Sequence, residues 1–283
     1  MSGILYIVAT PIGNLSDMSA RAVKILGEVD MIAAEDTRVS RVLLSHYQIK
    51  TPTYSCHKFN EESRGSFFVA AMLEGKNVAL ITDAGTPCVS DPGHRIVKLA
   101  AEAGIEAVPV PGACAVTTAL SVSGFDASQY MFLGFLPRGA EGVSLLQNTM
   151  ETTETAVFYE SPKRIQKVLE GVAETLPFVQ LCLCNDLTKK FEKVYRGNVY
   201  DVLNDLRENP NAGKGEYVCV VNGKTGAQPD FIPERISLEA QLVEIMVKSG
   251  CTSKEAVQAL KEHDKRFSKK DIYAAALRLK EML

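Results

Sequence analysis

Charged side chains stand where short apolar segments of the sequence end. In AEDTR, Asp36 is followed by Arg38. In FYESPKR, Glu160 is followed by Lys163 and Arg164. A carboxylate at a strand end can accept a proton or bind the hydroxyl groups of a ribose, and two neighbouring cations can bind a phosphate. A local salt bridge and solvated cations explain the same patterns equally well.

Three loops rich in glycine, proline and alanine are the second feature with chemical meaning. They span residues 10–14 (TPIGN), 83–93 (DAGTPCVSDPG) and 109–115 (PVPGACA). Small residues let main-chain N–H and C=O groups contact a flat or polar ligand, and ligands of open parallel sheets bind at the carboxyl ends of the strands. One such loop is typical of an ordinary turn, whereas three on one edge indicate a ligand site.

The common nucleotide-binding and metal-binding motifs are missing from the sequence. TPIGN does not match GxGxxG and no GxxxxGK[ST] stretch occurs, which argues against a dehydrogenase or a P-loop nucleotidase. His57 adjoins Cys56, but no second His or Cys pair follows at zinc spacing, so we expect no metal. The seven cysteines form no CxxC pair, which favours reduced thiols in the cytoplasm over a disulfide framework.

The elements that must position these loops alternate in the first half of the chain. Apolar runs such as ILYIVAT and NVALITD alternate with helical segments, which predicts a parallel sheet with helices on both faces. After SGFDASQY the chain is richer in strands, which predicts a mixed sheet, and two or three amphipathic helices follow between residues 236 and 282. We therefore predict an α/β fold with two α/β domains, 1–120 and 121–226, and a helical C-terminal module, 234–283.

Composition and charge limit the partners of the protein. No apolar run in the 283 residues approaches the roughly 20 residues needed to span a bilayer. The N-terminus lacks the basic region of a signal peptide. We therefore expect a cytoplasmic protein without membrane contact. The net charge of −3 excludes a polycation. Residues 251–283 nevertheless carry eight Lys or Arg against five Asp or Glu. This basic segment either binds RNA or forms a solvated helical face.

Taken in order, these motifs resemble the tetrapyrrole-methylase-like (class III) S-adenosylmethionine methyltransferases. The resemblance covers nearly the whole chain, and its most specific parts are TPIGNL, AEDTR, DAGTPCVSDPG and FYES. Within the family, the chain is most similar to the branch that methylates the ribose 2′-hydroxyl of a cytidine in small-subunit (16S) ribosomal RNA. The precorrin and uroporphyrinogen methylases have a Gly-Pro-Gly-Asp type first loop where this chain has TPIGN.

The resemblance implies a homodimer whose chains bind S-adenosylmethionine in a cleft between the two α/β domains. The positions that match cofactor-binding loops are Pro11, Gly13, Asp83, Ala84, Gly85, Thr86, Pro87, Pro111, Gly112, Cys114, Ala115, Phe158, Leu187 and Gly215. The chain departs from the branch at Asn185 and Asp186, which replace Arg-Glu and leave open what that position binds. Lys163 replaces a histidine, which excludes a catalytic histidine there.

Methyl transfer to a ribose hydroxyl requires a base to take its proton. The candidates are Asp36, Asp83 and Glu160, because each is expected to point from a strand end toward the cleft. Asp91 precedes Pro92-Gly93 and is expected to cap the next helix. The residues expected to bind RNA phosphates are Arg38, Arg138, Lys163, Arg164, Lys269 and Lys270. Because the chain carries few cations, we expect the folded small ribosomal subunit as substrate.

Two other functions remain open at this point. The first is a small-molecule methylase of the same fold that acts on a tetrapyrrole; such an enzyme would not need the basic C-terminal segment. The second is a non-catalytic RNA-binding or ribosome-assembly factor, which would not need three loops built for close backbone approach to a ligand.

Overall fold

The computed structural model describes residues 2–223, 238–263 and 269–282, and the chain divides into two compact units at residue 225. The strands described in the first unit are β1 Leu5–Val8, β2 Met31–Ala34, β3 Thr53–Ser55, β4 Val78–Ile81, β5 Ala107–Val110, β6 Met131–Phe135, β7 Thr155–Glu160, β8 Gln180–Asn185, β9 Lys193–Asn198 and β10 Tyr217–Asn222. The α-helices are α1 Ala20–Glu28, α2 Thr37–His46, α3 Glu61–Leu73, α4 His94–Glu102, α5 Ala115–Ser123, α6 Ala140–Met150, α7 Ile165–Thr175 and α8 Val199–Glu208.

The first sheet is fully parallel, with strand order β3-β2-β4-β1-β5. Its central strands β2 and β4 are buried along their whole length, as the unbroken apolar runs of the sequence require. Phe68 of α3 and Ile96 of α4 pack on one face, whereas Leu26 of α1 and Leu44 of α2 pack on the other. The predicted parallel sheet with helices on both faces is confirmed.

The second sheet is mixed, with strand order β6-β7-β10-β8-β9. β6 and β7 are parallel, and the other neighbours are antiparallel. Helices α6, α7 and α8 cover one face, whereas Val116, Ala119 and Leu120 of α5 pack on the other. Helix α5, the last helix of the first half, therefore packs on the second sheet and spans residue 120, where we predicted a domain boundary. The division into two domains stays a prediction.

Side-chain caps start several helices. Ser19 Oγ accepts the Ala22 N–H at 3.1 Å at the start of α1. Helix α4 has no such local cap, because Gly93 occupies its N-cap position. Instead Glu61, the first residue of α3, accepts the N–H groups of Gly93 and Arg95 through Oε1, both at 2.9 Å. The prediction that Asp91 caps this helix is wrong, because a carboxylate from another helix already holds these donors.

The second unit consists of three helices, α9 Leu238–Ser249, α10 Ser253–His263 and α11 Lys269–Met282, within the described residues. They share an apolar core that includes Leu242, Leu260 and Ile272. The predicted helical module is confirmed in its elements. Among the residues that the structure describes, no helix is both long and apolar enough to cross a membrane.

Candidate active site

A cavity of about 460 Å³ lies at the carboxyl ends of the first sheet's strands. One wall is formed by Ile12 after β1, residues 83–86 and 89–91 after β4, and residues 114–115 at the start of α5. The opposite wall comes from the second sheet and includes the ends of β6 and β7, the turn after β8 and the beginning of β10. The three small-residue loops therefore meet at one site, as the strand-end argument predicts.

Hydrogen bonds between the loops fix the floor of the cavity. Thr10 and Gly85 exchange two backbone hydrogen bonds of 2.8 and 3.0 Å. The hydroxyl of Thr10 also donates to the Thr82 carbonyl at 3.1 Å, and the hydroxyl of Thr86 donates to the Ala113 carbonyl at 3.1 Å. Two buried or half-buried threonines thus tie the loops to one another, so the main chain that faces the cavity is held before any ligand binds.

Three carboxylates line the cavity on the side of the first sheet: Glu35, Asp83 and Asp91. The Thr82 hydroxyl donates to Glu35 Oε2 at 2.7 Å, and the Asp36 N–H donates to Asp83 Oδ1 at 3.1 Å. Burial and then the charge of Glu35 raise the pKa of Asp91 to about 6. Burial also raises the pKa of Asp83, with further repulsion from Glu35 and Asp36. The three carboxylates on this side attract cations, and Asp83 and Asp91 hold protons more readily than ordinary aspartates do.

Asp36 lies beside this group and does not line the cavity. It is the N-cap of α2, and its Oδ1 accepts the Arg38 N–H at 2.8 Å. Its Oδ2 pairs with Arg38 Nη2 at 2.6 Å. These hydrogen bonds lower the pKa of Asp36 to about 2, which makes its carboxylate a weak base. The local salt bridge, left open by the sequence, is present.

Glu160 lines the cavity but is only 1% exposed, and both of its oxygens have close neighbours. Oε1 accepts the Ser161 N–H at 2.6 Å, and Oε2 lies 2.9 Å from Arg164 Nη2 in an ion pair. The same nitrogen donates to the carbonyls of Leu136 and Pro137. The guanidinium of Arg164 therefore links the end of β7 to the segment after β6, and binding a phosphate would compete with these contacts.

The turn after β8 places a cation against the cavity. Lys189 lines it, and Nζ bonds Asp186 Oδ1 at 2.8 Å and Glu216 Oε2 at 2.7 Å. Burial opposes the charge, but these two hydrogen bonds raise the pKa of Lys189. Gly13 and Gly215 pack against this turn: an added Cβ would lie 2.5 Å from Lys189 Cγ and 2.2 Å from Asp186 Oδ2, respectively. A side chain at either position would therefore displace Lys189 or Asp186 beside the cavity.

The predicted site residues divide into two groups. Those that line the cavity are Asp83, Ala84, Gly85, Thr86, Cys114, Ala115, Glu160 and Leu187. Those that lie outside the lining are Pro11, Gly13, Asp36, Pro87, Pro111, Gly112, Phe158 and Gly215. Phe158 is fully buried in the core of the second sheet, because neighbouring strand residues face opposite sides and Tyr159 takes the cavity side.

The structure describes the side chains of four of the six residues predicted to bind RNA. Arg38, Arg138 and Lys163 are exposed, and the last two follow cavity-lining segments closely in sequence. Lys269 and Lys270 begin α11, but their side chains lie outside the described residues. Sequence reasoning did not name Asp91 or Lys189 as lining residues. A signal for Asp91 was present, since it belongs to the same loop as Asp83, but its position before Pro-Gly favoured a helix cap.

Comparisons with known proteins agree on the family and the fold. The model of the Tetrapyrrole (Corrin/Porphyrin) Methylases matches residues 4–203. A protein named ribosomal RNA small subunit methyltransferase I from Pasteurella multocida is 45% identical over 234 residues, 82% of this chain and 83% of that protein. The Synechocystis protein of the same name is 40% identical over 280 residues, 98% of each chain.

Two solved structures show the same fold. A uroporphyrin-III-C-methyltransferase from Thermus thermophilus has a TM-score of 0.53 at 21% identity, covering 79% of this chain and 93% of that one. A diphthine synthase has a TM-score of 0.63 at 15% identity, covering 80% of this chain and 92% of that one. At these identities the likeness supports the fold alone. In the described part of the chain, no group of three or more His, Cys, Asp or Glu could hold a metal ion.

Proposed function

Because the chain belongs to the tetrapyrrole (corrin/porphyrin) methylase family, we propose that it is an S-adenosylmethionine-dependent methyltransferase of small-subunit ribosomal RNA. The proposed acceptor is the ribose 2′-hydroxyl of a cytidine. Relatives named ribosomal RNA small subunit methyltransferase I, at 40–45% identity over most of the chain, support the RNA substrate. The single structural observation that carries the proposal is the acid-lined cavity where the three small-residue loops meet.

The residues around the cavity fit S-adenosylmethionine. The volume lies within the roughly 300–1,000 Å³ of small-molecule sites, and Ile12, Phe135 and Leu187 offer apolar surface for an adenine ring. Glu35, Asp83 and Asp91 offer negative charge for ribose hydroxyls, an ammonium group or a sulfonium. The same charges would repel the phosphates of a nucleoside triphosphate. When bound, S-adenosylmethionine supplies an electrophilic methyl group on a positively charged sulfur.

The protein's own contribution to this reaction is chiefly positioning. The loops tied by Thr10 and Thr86 hold main-chain groups in place, and walls from both sheets restrict the access of water. Correct placement of two reactants can lower a barrier by about 7–11 kcal/mol. The exposed cations Arg38, Arg138 and Lys163 support phosphate binding beside the cavity, and the basic C-terminal segment supports a second contact with RNA.

Several finer points are part of the same proposal. We also propose a homodimer and the two α/β domains 1–120 and 121–226, as the resemblance of the sequence motifs to class III methyltransferases implies. The low cation content supports the assembled small ribosomal subunit, a cytoplasmic particle, as the substrate.

One assay separates this function from its alternatives. Radiolabelled S-adenosylmethionine is offered with small ribosomal subunits, free 16S ribosomal RNA or a tetrapyrrole, and cofactor binding is measured in parallel by calorimetry. We expect label in subunit RNA, recovered after nuclease digestion as 2′-O-methylcytidine. Label in the tetrapyrrole would establish a small-molecule methylase. Cofactor binding without any label in RNA would overturn the proposal.

A charge variant tests the RNA contact within the same assay. Arg138→Gln removes an exposed cation three residues after the cavity-lining Phe135, and Lys24→Gln removes an exposed cation on α1 as a matched control. We expect Arg138→Gln to raise the KM for RNA and weaken its salt dependence while cofactor affinity is unchanged. Equal KM values for the two variants would exclude Arg138 from RNA binding.

A further inference from the structure

We propose that Phe59 and Phe191 stack with unpaired bases of the RNA on either side of the target nucleotide, an inference that rests on the function proposed above. Phe59 is 94% exposed and Phe191 is 77% exposed, the two highest values among the large apolar side chains that the structure describes. Each ring directly follows a lysine in the sequence, Lys58 in HKF and Lys190 in KKF. Burial within this chain therefore does not explain why an aromatic residue stands at either position.

Phe59 lies in the turn between β3 and α3, at the edge of the first sheet that carries the cavity. Strand β3 is parallel to β2, and parallel strands end at one edge of a sheet. Two residues after Phe59, Glu61 accepts the Gly93 N–H, and residues 89–91 of that same loop line the cavity. The turn that carries Phe59 is thus linked through one side chain to a wall of the cavity.

Phe191 lies in the turn after β8, on the wall that the second sheet contributes. Leu187 and Lys189 of this turn line the cavity, and Phe191 comes two residues after Lys189. The turn also packs against the first small-residue loop, where an added Cβ at Gly13 would lie 2.5 Å from Lys189 Cγ. The two exposed rings therefore belong to segments on opposite walls of one cavity.

Hydrogen bonds hold the backbone of both turns before RNA binds. The Asn60 N–H donates to the His57 carbonyl at 2.9 Å, and Asn60 Oδ1 accepts the His57 N–H at 2.8 Å. In the other turn the Glu192 N–H donates to the Lys189 carbonyl at 3.1 Å, and the Glu192 carboxylate accepts the Thr188 N–H. A ring on a fixed turn loses little conformational entropy when a base stacks on it, which favours binding.

Single-stranded RNA fits the chemistry of both positions. Each base has a π-face that stacks on an aromatic ring, and each phosphate can pair with a cation. In the described part of the chain, neither Lys58 nor Lys190 takes part in an ion pair, and Lys190 Nζ lies 5.5 Å from the centroid of the Phe191 ring. A nucleotide must leave the stack of its neighbours to enter an enzyme's cavity. Rings on opposite walls can bind the neighbouring bases that it leaves behind.

Steady-state kinetics of Phe59→Ala and Phe191→Ala test this role, with Leu73→Ala as the matched control. Leu73 is 58% exposed and ends α3, at the opposite end of that helix from the turn with Phe59. Methyl transfer to small ribosomal subunits is measured at saturating S-adenosylmethionine. We expect each aromatic variant to raise the KM for subunits about 5- to 150-fold, the usual effect of losing one base–aromatic stack.

The same variants should leave the other constants in place. The kcat and the cofactor Kd should stay within threefold of the wild type, because neither ring lines the cavity. Replacing each phenylalanine with tyrosine keeps an aromatic face and should restore the KM. A KM within twofold of that of Leu73→Ala would overturn the role of the ring that was removed.

A second measurement does not depend on activity. The chain contains no tryptophan, so Phe59→Trp and Phe191→Trp each carry a single fluorescent ring that can still stack. Free 16S ribosomal RNA should quench the emission of both variants and leave that of Leu73→Trp unchanged. A fully paired RNA duplex is the control ligand, because sequence-specific contacts to RNA bases need unstacked bases. Unchanged emission at RNA concentrations that saturate filter binding, or equal quenching by the duplex, would overturn the inference.

The proposed function and the stacking role can fail separately. Methyl transfer to RNA with an unchanged KM in both alanine variants keeps the function and removes the stacking role. Quenching by 16S ribosomal RNA in a protein that binds the cofactor but labels no RNA overturns the function and keeps the stacking role. An alanine variant that changes the sedimentation coefficient but not the KM would place its ring between two copies of this chain, which also overturns the inference.

Discussion

Replacing Glu61 should loosen the loop that carries Asp83 and Asp91, although Glu61 lies 22 residues before the first of them. Its carboxylate is 8% exposed and accepts the N–H groups of Gly93 and Arg95, both at 2.9 Å. In Glu61→Ala the buried Gly93 N–H loses its acceptor, which costs about 1–3 kcal/mol. The Arg95 N–H can be hydrated instead, so its loss costs about 0.5–1 kcal/mol. We expect the free energy of unfolding to fall by about 1.5–4 kcal/mol.

The assay is urea denaturation followed by far-UV circular dichroism, with hydrogen exchange to localise the effect. Glu62→Ala is the matched control, because that neighbouring side chain is 78% exposed and its ion pair in the described part of the chain is with Arg95. We expect its free energy of unfolding to fall by less than about 1 kcal/mol. Glu61→Gln keeps an acceptor oxygen and should lie between the two. Exchange should accelerate at the start of α4, and the cofactor Kd should rise. Equal unfolding free energies for Glu61→Ala and Glu62→Ala would refute the capping role.

Four further outcomes are expected. Gly215→Ala should lower the free energy of unfolding by about 2 kcal/mol or more, because Gly215 has a φ of +83° and an added Cβ would lie 2.2 Å from Asp186 Oδ2. The control is Gly213→Ala, because an added Cβ at Gly213 has no atom within 4 Å. Equal stabilities of the two variants would contradict the packing argument. S-adenosylmethionine should slow alkylation of Cys114, which lines the cavity, as measured by mass spectrometry of tryptic peptides; unchanged labelling at saturating cofactor would place the cofactor elsewhere. Asp91→Asn should raise the free energy of unfolding at pH 7 by about 1 kcal/mol. The folded state raises the pKa of Asp91 to about 6 and so favours its protonated form, which means that the wild-type protein loses stability as the pH rises from about 4 to 6. A variant less stable than the wild type at pH 7 would indicate a structural role for Asp91 instead. Deleting residues 226–283, a separate compact unit, should weaken RNA methylation far more than cofactor binding, and equal losses would mean that the segment is structural.

Many elements of the fold were predicted from the sequence because their signals are local. Unbroken apolar runs such as VALI mark buried strands, and helical spacing of Ala22 and Leu26 marks α1. The three helices after residue 236 were predicted in the same way. The packing of α5 on the second sheet was missed, because an apolar helix face does not say which of two sheets it covers.

The candidate site was predicted in its loops and only partly in its side chains. Loops after β1, β4 and β5 meet because parallel strands end at one edge, a consequence of topology that the alternation of elements already implies. Which side chains face the cavity depends on strand phase, and the sequence interpretation chose Phe158 where the structure has Tyr159.

The sequence by itself determined that 83–93 is a loop with two aspartates at the edge of a parallel sheet. The tertiary structure decided what the two aspartates can do. Glu61, 32 residues before Gly93, holds the helix start that Asp91 was expected to cap. Glu35, 48 residues before Asp83, lines the same cavity and raises the pKa values of both. A hydrogen-bond partner or a like charge at such sequence separations leaves no local pattern, so the basicity of a carboxylate is a property of the folded chain.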